Sequence, residues 1–136
     1  DNGQIYPFPR PISLKNASIS LFDAVAATRL GPVLTSTPKG IVRHLVPHQD
    51  AIAAMDVPAL PAAIVFPRFG FAEAIRSVAP SETFVRLTQA STNYVALGER
   101  GFVALTRLVE GRPAVAIDFS NTTDALRVIS HLLDSL

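Results

Sequence analysis

Ala114-Val115-Ala116-Ile117-Asp118-Phe119, followed by Thr122-Thr123 and then Leu126, Ile129, Leu133 and Leu136, is the stretch that decides the fold class. Its first six residues make a short apolar run, the mark of a buried strand. The threonines then open a helix near 123–135, and the four later apolar residues recur at helical spacing along one face. The same alternation appears upstream. Ala62–Phe66 reads as a strand buried on both faces and closed by Pro67. Ser81 caps a helix near 81–96 with Phe84, Leu87 and Ala90 aligned, and Gly98 and Gly101 separate it from a further helix through Val103, Leu105 and Leu108. Residues 71–79 fit either element. Ile41–Val46 is a strand ended by Pro47, and Gln49–Met55 allows one or two helical turns. Ser18 caps a helix near 19–29 that carries Ile19, Phe22 and Ala26 on one face and stops at Gly31-Pro32. Strands alternating with helices predict an α/β chain, with 41–46, 62–66 and 114–119 in one mixed sheet flanked by helices.

The bulk properties fit this reading. A chain of 136 residues, 49% hydrophobic and 17% charged, is long enough for one domain with a real core. It reads as a single domain 1–136 or as the C-terminal segment of a larger one, with residues 1–16 as an extended arm stiffened by Pro7, Pro9 and Pro11. A net charge of +1 argues against a general nucleic-acid or membrane-surface binder. No apolar run approaches the roughly 20 residues of a membrane helix, and cysteine is absent, so a cytoplasmic location is expected. The first residue is Asp rather than Met, which suggests a processed protein or an excised fragment.

Two lysines stand against ten arginines, and both lysines fall in segments that read as loops. Lys15-Asn16 lies where an extended run gives way to a helix pattern. A cation beside a helix start, with its unpaired N–H groups, suits a phosphate or carboxylate. Lys39-Gly40 closes a turn that also holds Thr35, Ser36 and Thr37, a composition able to build an anion nest. Arg10 is held between two prolines, which suits a bidentate clamp on an oxyanion. Arg68 follows a strand, and ligands of α/β sheets gather at such ends. For each, the alternative is an ordinary solvated cation. His44, inside a strand, and Asn93, inside a helix, are weaker candidates. With cysteine absent and His44, His48 and His131 far apart in sequence, no metal site is expected. The carboxylates are scattered singly, and there is no nucleophile elbow and no Gly-x-x-x-x-Gly-Lys-Ser/Thr loop.

Five segments taken in order carry a family resemblance: 7–16 (Pro-Phe-Pro-Arg-Pro-Ile-Ser-Leu-Lys-Asn), 31–33 (Gly-Pro-Val), 37–45 (Thr-Pro-Lys-Gly-Ile-Val-Arg-His-Leu), 65–69 (Val-Phe-Pro-Arg-Phe) and 93–102 (Asn-Tyr…Leu-Gly…Gly-Phe). Together they resemble the C-terminal part of HPr kinase-related proteins, above all the subgroup often found near bacterial peptide-modification genes. The resemblance implies an ATP- and magnesium-dependent kinase related in fold to HPr kinase/phosphorylase and phosphoenolpyruvate carboxykinase, acting on a hydroxyl of a protein, peptide or small molecule. In that family the phosphate loop and the magnesium-holding acids lie upstream of the matched segment. The resemblance therefore implies an N-terminal half as partner, with self-association as a further expectation, and no tightly bound cofactor on this chain alone. Arg10, Lys15, Lys39 and Arg68 match recurrent basic positions of the family and are expected to converge on one face. The rival expectation is a non-catalytic binding or assembly domain.

Overall fold

The computed structural model describes residues 3–23 and 27–136, which form two compact units, residues 5–59 and residues 60–136 with Gly3 and Gln4. Both combine strands and helices, so the chain is α/β.

In the first unit, β1 (Ile12–Lys15) runs into a single 3-10 turn, Asn16–Ser18, and a one-turn helix, α1 (Ser20–Asp23). β2 (Leu34–Thr37) and β3 (Gly40–Leu45) follow, then the short α2 (Gln49–Ala53). The sheet order is β1-β3-β2, antiparallel throughout. β3 is central because β2 reaches it through a two-residue turn and β1 pairs with its other edge, Ile12 opposite Leu45 and Lys15 opposite Val42. The turn is locked by hydroxyl chemistry. Thr37 Oγ1 donates to the Gly40 carbonyl at 2.7 Å and accepts from the Lys39 amide at 3.2 Å. Gly40 has φ +83°, and a Cβ there would meet Asn16 Oδ1 at 2.5 Å, so only glycine fits. Leu14 and Leu45 form the core, with Ile19, Phe22 and Leu30 packed against them. Of the helix expected over 19–29, residues 20–23 are α-helical and Ala27–Arg29 form a 3-10 turn, while Ala26 lies outside the described residues.

The second unit holds β4 (Ile64–Phe69), β5 (Ala74–Ser77), α3 (Pro80–Ala90), α4 (Tyr94–Val109), β6 (Ala114–Phe119) and α5 (Thr122–Asp134). β6 is central, parallel to β4 and antiparallel to β5. The single sheet expected from 41–46, 62–66 and 114–119 is therefore two sheets. Both edges of β3 are already satisfied by its sequence neighbours, which leaves it no free backbone groups for β4 or β6.

β4 does not stop at Pro67. The Ile64 and Gly70 amides donate to Pro113 and Phe119 carbonyls of the β6 segment, so even-numbered amides face β6 and odd-numbered ones face outward. Pro67 sits at an outward position on an edge strand, where a missing N–H costs no ladder bond. For the same reason β4 is not buried on both faces, and only Ile64 is buried. Pro80, not Ser81, begins α3, with Ala79 as its N-cap residue. The helix expected over 81–96 breaks after Ala90, and Asn93 is the N-cap residue of α4 rather than a helix-interior residue. The expected break at Gly98 is present as a kink, with φ 53° and ψ −131°.

Alternation along β6 divides the packing. Ala114 and Ala116 join Ile64, Val78 and Val109 in a core lined by Phe84 and Leu87 of α3 and Leu108 of α4. Ile117, fully buried, belongs to the opposite face by its odd position. α5 packs on β6 and buries Val128 to 2% exposure, with Ala125 and Leu132 half-buried. The four apolar residues that recur along one face, Leu126, Ile129, Leu133 and Leu136, are exposed, and the helix seats Val128 instead. Among the described residues no helix is long and apolar enough to cross a membrane.

Candidate functional site

The two lysines fall at the same end of the first sheet. The β1–β3 register sets Lys15 opposite Val42, two residues from Gly40, and Asn16 Oδ1 accepts the Ile41 amide at 3.1 Å. Asn16 adopts a left-handed φ of 47° to do so, a conformation asparagine tolerates better than most residues. Ser18 Oγ accepts the Lys15 amide and donates to the Lys15 carbonyl, both at 2.8 Å, which ties the Asn16 turn to the strand end. Lys15 and the Lys39 turn are thus stapled together by Asn16, although 23 positions separate them in sequence. Both lysine positions are exposed.

Arg10 is not with them. It precedes the Ile12 end of β1, while Lys15 closes the other end, on the order of 17 Å away along an extended chain. Its guanidinium lies 5.4 Å from the Phe8 ring centroid. His44 is half-buried in mid-β3, opposite Ser13. Among the described residues no group of three His, Asp or Glu side chains is disposed to hold a metal ion. Asn93 accepts from Ser91 Oγ at 3.2 Å, a contact within the link between α3 and α4.

Arg68 belongs to the second unit. It stands at the C-terminal end of β4, directly opposite Asp118 in the parallel β4–β6 pair. Nε donates to Asp118 Oδ1 at 2.9 Å and Nη2 to Oδ2 at 2.6 Å, a bidentate pair, and the guanidinium carbon lies 3.7 Å from the centroid of the Phe71 ring. The hydrogen bond from Arg68 holds the Asp118 carboxyl below its ordinary range, opposed in part by its desolvation, and the same bond raises Arg68. Just beyond β6, Asn121 Oδ1 accepts the Asp124 amide at 3.0 Å and caps α5, while Ser120 Oγ and Asn121 Nδ2 both donate to Asp124 Oδ2. Asp118 was the residue to find. Its signal is a lone acid inside the apolar run Ala114–Phe119, but only the register reveals that Arg68 is its partner.

Chemically the two places differ. The Lys15–Lys39 end offers two point charges and exposed backbone to an anion. The Arg68 fork is already filled by a carboxylate, so an incoming oxyanion would have to displace Asp118. Comparison of the chain with protein-family models, with curated proteins and with solved structures gave no match.

Proposed function

We propose that this chain is part of an ATP-dependent, HPr kinase-like phosphotransferase that acts on a hydroxyl of a protein, peptide or small molecule. The observation that carries the reading is the meeting of Lys15 and the Lys39 turn across β1 and β3, held by the Asn16–Ile41 hydrogen bond. Paired cations on an ordered turn are what a phosphoryl group requires for charge neutralisation. Magnesium and ATP do not fit the residues of this chain by themselves. It has no phosphate-loop motif, and its described residues offer no three-ligand acidic cluster. In this reading those parts come from another segment of the kinase, and the lysine end faces the phosphates.

The test is a titration of isotope-labelled protein with pyrophosphate, followed by amide chemical shifts. Saturable shifts at 15–18 and 37–41, abolished by Lys15→Ala with Lys39→Ala, support the reading. Absence of saturable shifts at these residues rejects it. One observation favours the rival, a non-catalytic assembly domain: the apolar row Leu126, Ile129, Leu133 and Leu136 is exposed along α5. Light scattering across a concentration series, together with Leu133→Asp, separates the two, since an assembly domain associates through this row whether or not anion is bound.

A further inference from the structure

We propose that the Leu45 end of the first sheet holds a binding site for a small oxyanion, a phosphate monoester or a carboxylate, gripped by Arg29 and His48. This site is independent of the lysine end and of the kinase reading. It arises from a fork in the chain. Residues 29–31 pair with 44–46: Leu30 bridges Leu45, the Gly31 amide donates to the His44 carbonyl at 2.8 Å, and the Val46 amide donates to the Arg29 carbonyl at 2.8 Å. Beyond the Val46–Arg29 bond no further backbone bond joins the two arms among the described residues, and they part there. His48 then turns the chain into α2, its Nδ1 accepting the Asp50 amide at 3.4 Å. The parted arms enclose a cleft of about 540 Å³, within the usual size of a small-molecule site.

The groups that line the cleft suit an oxyanion. Arg29 Nη1 makes one long bond, 3.4 Å, to the Val46 carbonyl. Among the described residues its other donors have no partner, so the fork is available for a bidentate grip. Asp50 Oδ2 lies 3.0 Å from His48 Nδ1, a contact that needs a proton on Nδ1 and so competes with the amide bond; with either partner Nδ1 is engaged by Asp50 and Nε2 is the edge a ligand meets. Thr28 and Gln49 are also in the lining, residues with a hydroxyl and an amide. Arg10 precedes the strand end opposite Leu45, so a second arginine stands at this end of the sheet, away from the lysines. Among the described residues Asp50 is the one acid in the lining; its charge opposes any anion, and opposes a highly charged one most.

The experiment is a chemical-shift titration of the labelled chain, run separately with inorganic phosphate and with acetate. The proposal expects saturable shifts at 28–31 and 46–50 in at least one arm, an apparent Kd weakened about tenfold or more by Arg29→Gln, and no change with Arg100→Gln in the other unit. Saturation with phosphate alone assigns a phosphate monoester, and saturation with acetate alone assigns a carboxylate. Shifts that never saturate, or that survive Arg29→Gln unchanged, overturn it. Should Arg29→Gln lose the dispersed spectrum of the folded chain, His48→Gln gives the same reading, since its ring contributes to the ligand through Nε2. The pyrophosphate test reads residues 15–18 and 37–41, so the two proposals fail or stand separately.

Discussion

Ile117 and Ile75 face each other across β6 and β5, the same residue type at paired positions, yet Ile117 is 0% exposed and Ile75 is 48% exposed. The contrast makes a controlled test of where the second unit keeps its stability. Ile117→Ala removes a buried side chain from the central strand, whose neighbours on both sides are held by ladder bonds and can collapse little. That costs about 2–5 kcal/mol, transfer and cavity together. Ile75→Ala removes a half-exposed side chain from an edge strand and costs about 1 kcal/mol or less. A unit of this length holds about 4–12 kcal/mol in total, so Ile117→Ala consumes about a sixth of it or more. Urea unfolding followed by far-ultraviolet circular dichroism reads the difference. With one slope of about 1–3 kcal/mol per M for both variants, the Ile117→Ala midpoint falls by about 0.7 M or more, at least about twice as far as that of Ile75→Ala. Ile117→Val, at about 1 kcal/mol, should lower the midpoint less than Ile117→Ala. Equal losses at 117 and 75 would falsify the assignment of β6 as the buried centre of this unit.

Four further outcomes are expected. A carboxyl held below its ordinary range by the folded state stabilises fully above the unfolded value, about 3.9, and loses that stabilisation as pH falls through the lower folded value. Thermal melts should therefore show a steeper acid decline for wild type than for Asp118→Asn, and parallel declines would contradict the Arg68–Asp118 pairing. Asn121→Ala deletes the cap of α5 and should cost about 1 kcal/mol in a urea midpoint; no change would mean that Ser120 or water replaces the cap. Gly40→Ala and Gly70→Ala share a positive φ, but only Gly40 has Asn16 Oδ1 in the way, so Gly40→Ala should lower the melting temperature more. Calorimetry with Mg-ATP and this chain alone should show no saturable heat at micromolar nucleotide, the phosphate-loop motif being absent from its sequence; tight stoichiometric binding would overturn the division of labour proposed for the kinase.

What was legible in the sequence was local. Ala114–Phe119 read correctly at both ends because a continuous apolar run and the polar Ser120-Asn121 bound it. The Gly98 break read correctly because a positive φ at a glycine is a property of one residue. What failed was set by pairing between distant segments. Pro67 stops a strand only if its amide is needed, and whether β4 lies at an edge depends on β6, fifty positions away. The row on α5 is legible as a row, but helical spacing does not say which row meets the sheet, and Val128 makes that contact. The site follows the same rule. Arg68, Lys15 and Lys39 could each be picked out as a cation at a strand end or turn. That Lys15 meets the Lys39 turn, that Arg10 goes to the far end of β1, and that Arg68 is claimed by Asp118 are consequences of register alone.

That distribution of charge bears on the chemistry. Phosphoryl transfer needs several positive groups acting on one set of oxygens, because the charge to be offset is concentrated. In the first unit four cations lie at the two ends of one sheet, Lys15 and Lys39 at one, Arg10 and Arg29 at the other, while Arg43 in mid-β3 donates to the Gly31 and Leu30 carbonyls. Neither end has the charge density of a complete transfer site, and Arg68 brings no net charge while Asp118 holds it. Each end is matched instead to a single anionic group: point charges on a turn where phosphate orientation is loose, an arginine fork in a cleft where it is fixed. If both proposals hold, two separate anions at opposite ends of a three-stranded sheet would orient ligands along that sheet. On the proposed reading, the strongly neutralising groups for transfer then belong to the segment that brings the phosphate loop, and the part played by this chain is alignment.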